Sequence, residues 1–243
     1  MLTLLFKEFR SFFNSISGYL IISIFLLATG LFIWIFPGNT NVLDGAYANL
    51  DTLFDMAPWI YLFLIPALCM RLFTDEKKSG TIELLLTRPI SDFKIVLSKF
   101  LAALLIVVFS LLFCLTYYIS IYYLGKPVGS IDVGAFWGSF LGLFFLAIGY
   151  LSIAVFAGSL TDNQIVAFLL SMVLCFSFYI GFDYLSELLV FQTIQTEIIT
   201  IGISEHYRSL SRGVIDSRDV SYFISLALIF LFATRTVLQS RKW

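Results

Sequence analysis

Charge is scarce in this chain. Only 13% of its 243 residues are Asp, Glu, Lys or Arg, while 60% are hydrophobic; a soluble domain carries roughly a quarter charged residues. A chain of this length leaves much of its surface outside any core, so the surplus apolar surface, 27 Phe included, must face lipid. The net charge of −1 gives no field that would attract nucleic acid. Cysteine is sparse as well. Cys69, Cys114 and Cys175 all fall in apolar runs and read as small core hydrophobes, with no disulfide framework and no metal site. The single histidine, His206, comes with no Ser–His or paired-Asp arrangement, which argues against intramembrane proteolysis; it is expected to be solvated or locally hydrogen-bonded. No G-x-x-x-x-G-K-[ST] phosphate loop occurs, so any ATP and Mg2+ would belong to another chain, and no cofactor or catalytic residue is expected in this one. Span interiors are read as free of ionisable groups, which speaks against ion-coupled transport. Internal repeats and low-complexity tracts are lacking too.

What the chain has is long apolar runs. Roughly 20 apolar residues cross a bilayer core, and six candidates approach that length: residues 19–36, 58–73 (starting as early as Leu53), 96–124, 136–160, 164–182 and 222–238. Lys7 and Arg10 precede the first, but Gly18–Phe36 is long for a signal-peptide core and no small-residue cleavage site follows, so it is expected to stay as a span. Six spans place both termini on one side. That side holds 11 of the 15 Lys and Arg, leaving Lys126, Arg208, Arg212 and Arg218 opposite; the positive-inside rule therefore predicts both termini in the cytoplasm. Trp34, Trp59 and Trp137 fall at the outer span ends, where amphipathic rings settle. The fold class is an all-α integral membrane protein, one transmembrane domain over residues 1–243.

Three segments outside the spans carry the organisation. In residues 1–17 the apolar positions Leu2, Leu5, Phe6, Phe9, Phe12, Phe13 and Ile16 recur at helical spacing. This predicts an amphipathic helix lying in the cytoplasmic interface, with Phe6, Phe9 and Phe13 toward the acyl chains and Lys7, Glu8 and Arg10 toward water; the alternative is a plain extension of the first span. The outer segment 184–221 is too polar to span and too apolar for a free linker, which predicts short re-entrant or interfacial helices. Loop 74–93 is the most polar cytoplasmic stretch. Ser79-Gly80 makes a turn, Glu83 falls in a first helical turn where a carboxylate suits the dipole, and Pro89 stops the helix after about two turns. A helix that short is marginal alone and makes sense docked into a partner. Within the spans, Gly134, Gly138 and Gly142 form a small-residue row that permits close helix approach, inside the subunit or across a dimer, and Pro66 is expected to kink its helix.

The run Asp75-Glu-Lys-Lys-Ser-Gly80-Thr-Ile-Glu83-Leu-Leu-Leu-Thr-Arg-Pro-Ile-Ser91 resembles the cytoplasmic signature of ABC-2-type transporter permeases, roughly E-K-x-x-G-T-[IL]-E-x-L-L-[ST]-x-P-[IV]. Thr161-Asp162-Asn163-Gln164 resembles that family's second, smaller cytoplasmic contact, and residues 202–223 resemble its stretch before the last span. Within the family the likeness is closest to the gliding-motility-associated permease subunits of Bacteroidetes. The resemblance implies a permease subunit in a bacterial inner membrane, exporter-type, paired with a separate ABC ATPase. It also implies a second permease, as a homodimer or as a heteromer with a larger membrane subunit. It assigns ATPase coupling to Asp75, Glu76, Lys77, Gly80, Thr81, Glu83, Leu84, Thr161, Asp162 and Asn163, with Glu76 and Glu83 meeting groups on the ATPase. The alternative is a mechanotransmission or assembly subunit of such a complex that moves no substrate.

Overall fold

In the computed structural model the described residues are 1–240, apart from Asn39, Ala46, Ile82, residues 84–89 and residues 189–192. Among them every regular element is helical. In chain order these are α1 (Leu2–Phe13), α2 (Ile16–Trp34), α3 (Asp51–Lys78), α4 (Asp92–Leu124), α5 (Val133–Leu160), α6 (Gln164–Ser186, with a π turn over Ser177–Gly181), α7 (Gln195–Ile199), α8 (Ile203–Leu210) and α9 (Ser217–Ser240). Helices α3, α4, α5, α6 and α9 are each long and apolar enough to cross a membrane. The sixth candidate is the pair α1 and α2, bent by 65°. The expected spans reappear within a few residues, α3 having gained most: its 28 residues make a rod of about 42 Å, longer than the roughly 30 Å hydrocarbon core, and it runs on through Pro58 and Pro66 as one helix.

The bend after α1 has a local cause. The Ser15 hydroxyl donates to the Phe12 carbonyl at 3.0 Å, and a Cβ on Gly18 would stand 2.7 Å from that same oxygen. Glycine lets the chain turn tightly there, so α1 leaves the axis of α2 and lies along α4. The exposed side of α1 carries Leu2 and Phe6, the latter 56% exposed. Phe9 and Phe13 are half-buried and meet as a tilted pair with ring centroids 4.9 Å apart, with Phe13 reaching Tyr19 and Phe109.

At the centre, α5 packs against α3, α6 and α9, and its residues from Leu146 to Ala157 are almost all buried. Hydrophobicity alone does not drive helices together in lipid; close packing does. Small residues supply it. A Cβ on Gly138 would stand 2.6 Å from Gly213 Cα, and one on Gly142 2.7 Å from Leu210 Cβ. The glycine row thus serves packing inside the subunit, against the segment that precedes α9. Gly134 meets only its own neighbour Asp132 and takes no part in it.

Both ends of the described chain come together at the start of α4: Ser98 Oγ donates to the Met1 carbonyl at 3.4 Å, and Gln239 Nε2 to Asp92 Oδ2 at 3.4 Å. This side is called the terminal face below, and the opposite one the distal face.

Candidate functional site

Asp75, Glu76 and Lys77 are consecutive in the last turn of α3, so successive side chains point about 100° apart. Each goes to a different partner. Asp75 accepts from Gln164 Nε2 at the start of α6. Lys77 turns to the end of α5, donating to the carbonyls of Ser159 at 2.6 Å and Thr161 at 3.2 Å and pairing with Asp162 at 3.3 Å. An ammonium group at a helix C-terminus satisfies carbonyls that have no partner inside the helix and suits the negative end of its dipole. The turn it grips is itself capped: Asn163 is the N-cap of α6, its side chain accepting from the Ile165 amide at 2.9 Å, while Thr161 Oγ1 accepts from the Asn163 amide at 3.2 Å. Loop 161–164 is thereby fixed to the root of loop 79–91. The sequence assigned both to partner contact, and the fold brings them together.

Glu76, expected to meet groups on the ATPase, goes inward instead. Its carboxylate lies 2.9 Å from Lys99 Nζ and 3.0 Å from Lys7 Nζ. Glu8 completes the group at 3.1 Å from Lys99 and 3.3 Å from Lys7. Lys99 is 0% exposed, donates to the Leu72 carbonyl at 2.6 Å and lies 5.2 Å from the Phe73 ring centroid. Three helices, α1, α3 and α4, meet on this one ammonium. Two sequence expectations change here. Glu8 does not face water: Leu4, Leu5, Glu8 and Phe12 form the buried side of α1. The apolar spans are not free of ionisable groups either, since Lys99 sits two turns inside α4. The physical reason is that a charge removed from water needs an opposite charge and filled hydrogen bonds, and α1 brings the carboxylate that makes Lys99 tolerable. Burial pulls the Lys7 ammonium down, but the Glu76 hydrogen bond and the Glu8 carboxylate outweigh it and leave its pKa above the ordinary lysine value. A cleft of about 270 Å3 opens beside the cluster, lined also by Ser11, Arg71 and Ser79.

Past the end of α3, Ser79, Gly80, Thr81 and Glu83 are all exposed. Gly80 takes φ +67, its amide reaching the Lys77 carbonyl at 3.2 Å, as in the left-handed helix stop that glycine serves. It therefore ends α3. Ser79 and Thr81 share a hydroxyl–hydroxyl bond at 2.8 Å. Thr81 and Glu83 lie in helical backbone and are exposed; Leu84 and the Pro89 stop fall outside the described residues.

The ion cluster is what sequence reasoning missed. A signal existed: Lys99 is the one cation in the run from Ile95 to Tyr117, and a lone cation that deep calls for a named partner. Nothing local identified Glu8, 91 positions away.

The architecture is thus a bundle of long apolar helices with a reinforced junction of loops at one end and no enzyme-sized domain among the described residues. No curated protein matches the chain. The family model described as ABC-2 family transporter protein matches residues 2–227, from α1 into α9. The chain belongs to the ABC-2 transporter family, as a membrane-spanning permease subunit that works with an ABC ATPase.

Proposed function

We propose that the terminal face is cytoplasmic and receives the ATPase through the helix that begins at Thr81, with Thr161, Asp162 and Asn163 as a second contact. One observation carries this: Lys77 ties the 161–163 turn to the base of the 79–91 loop, while Glu83 stays exposed beyond it. A force applied to either loop reaches α3, α5 and α6 together, which a coupling element requires if two permease states are to meet the ATPase differently. The 11-to-4 distribution of Lys and Arg supports the orientation. Location in a bacterial inner membrane, export, and the gliding-motility branch belong to the same proposal and are supported by the resemblance of loop 75–91. A second permease, identical or larger, would cover apolar surface on α6 and α9, which bury 22% and 28% of their apolar windows against 61–67% for α3, α4 and α5.

The test is co-purification with the ABC ATPase partner that the family implies. Glu83→Lys should leave insertion and abundance intact and lower ATPase recovery by about tenfold, the equivalent of roughly 1.4 kcal/mol. Undiminished recovery would remove Glu83 from the interface.

A further inference from the structure

The distal segment between α6 and α9 closes on the only histidine of the chain. Helix α8 is pinned on its inner side. The Tyr207 hydroxyl donates to the Phe54 carbonyl at 2.6 Å, Leu210 rests on Gly142, and the Ser211 carbonyl just beyond accepts from Ser139 Oγ at 2.7 Å. Toward α9 it is held by His206. Nδ1 lies 2.7 Å from Asp219 Oδ1, and Nε2 lies 2.9 Å from the Thr200 carbonyl oxygen. The ring stacks on Tyr222 with centroids 3.9 Å apart, and the Tyr222 hydroxyl donates to the Ile201 carbonyl at 2.6 Å.

Both ring nitrogens therefore face acceptors. A neutral imidazole has one N–H and one lone pair, so it serves one oxygen and sets its lone pair against the other. Only the doubly protonated ring donates to both, and a cationic ring also suits an aromatic face. Of the elements packed on α8, α9 presents Asp219 and Tyr222 to the ring, while α3, reached through Tyr207, carries Asp51 and Asp55 on either side of Phe54. On α6, Asp183 accepts from Ser204 at 2.6 Å and Tyr179 stands edge-on to Trp59. The stretch of α5 from Ala135 to Phe145 has no titratable side chain. On α8 itself Glu205 is paired with Arg208 at 3.5 Å. One acid, one base and a carbonyl make up the clamp.

The geometry points to a proton-operated clamp at the distal face: the His206 imidazolium ties α8 and the Thr200 turn to Asp219 at the start of α9, and loss of one ring proton loosens them. The clamp holds at acidic pH and weakens as pH rises, so the ligand that regulates the distal segment is the proton itself.

Because His206 is the sole histidine, histidine labelled with 15N reports this ring alone in the full chain in lipid nanodiscs. Both nitrogens should be protonated at the acidic end of a pH series and give way to one neutral tautomer at its alkaline end. Deuterium uptake over residues 200–210, corrected for intrinsic exchange, should rise several-fold in step. His206→Gln keeps one donor and one acceptor but does not titrate, so its uptake should be flat with pH at the level of the deprotonated wild type. A ring neutral throughout the series, uptake that ignores the ring's protonation, or an equal pH response in His206→Gln would each overturn the clamp. The labelled wild type decides the matter by itself if the variant does not fold.

Discussion

Lys99 illustrates how much one residue can organise when water is absent. Its ammonium has a carbonyl and two carboxylates around it, and removing it leaves Glu8 and Glu76 buried against each other with only Lys7 to answer them. Breaking a buried pair on one side costs about 3–5 kcal/mol. Lys99→Met should accordingly lower the thermal unfolding midpoint in detergent by many degrees. Adding Glu8→Gln and Glu76→Gln should restore much of that loss; a single variant as stable as wild type would show that the cluster is idle. The glycine row gives a second residue-scale contrast. Gly138→Ala forces a methyl against Gly213, at an overpacking cost of about 1–3 kcal/mol. Gly134→Ala meets only the Asp132 carboxylate at 3.4 Å, an ordinary contact, and should stay within about 0.5 kcal/mol of wild type. Equal melting temperatures for the two would contradict the contact with the α8–α9 segment.

Among the elements, α1 does two jobs with opposite sides. One side delivers Glu8 to Lys99; the other offers Leu2 and Phe6 outward, where a Phe side chain contributes about 2 kcal/mol if lipid covers it. Phe6→Asp should release α1 from the membrane surface, seen as faster proteolysis of residues 1–15 in proteoliposomes, with little change in the melting of the bundle. Phe13→Asp should do more, since Phe13 braces the elbow against Tyr19 and Phe109 and its loss reaches α2 and α4. If Phe6→Asp and Phe13→Asp together leave protease sensitivity unaltered, the helix is seated by its buried side alone. The stripe of apolar residues in α1 was legible from sequence. Which polar residue interrupts the buried side was not, because Glu8 fits the polar pattern until Lys99 is placed beside it.

For the whole molecule, the decisive contrast is between two glutamates seven residues apart. Glu83 is exposed and Glu76 is enclosed by Lys99 and Lys7. Glu76→Gln should lower the unfolding midpoint while the protein that remains still recovers the ATPase; Glu83→Lys should do the reverse. Both variants losing recovery in proportion to lost stability would mean that a single folding defect explains them. The same contrast explains why the junction was only partly legible. The resemblance of residues 75–91 and 161–164 pointed to one functional end of the bundle, and Lys77 does join them. It could not say that three neighbouring charged residues, 100° apart on one helix, would serve three different partners.

Sequence by itself determined that the chain is an all-helical membrane protein with five or six helices able to cross, and nearly where each one runs. Those properties follow from hydropathy and length, which are sums over local residues and need no tertiary partner. Only the tertiary structure decided which charges are structural, that the Gly138 row packs inside the subunit, and that His206 lies between Asp219 and Thr200. Each of these depends on contacts across tens of residues, where a buried charge, a missing Cβ or a ring nitrogen takes its meaning from the group brought opposite it.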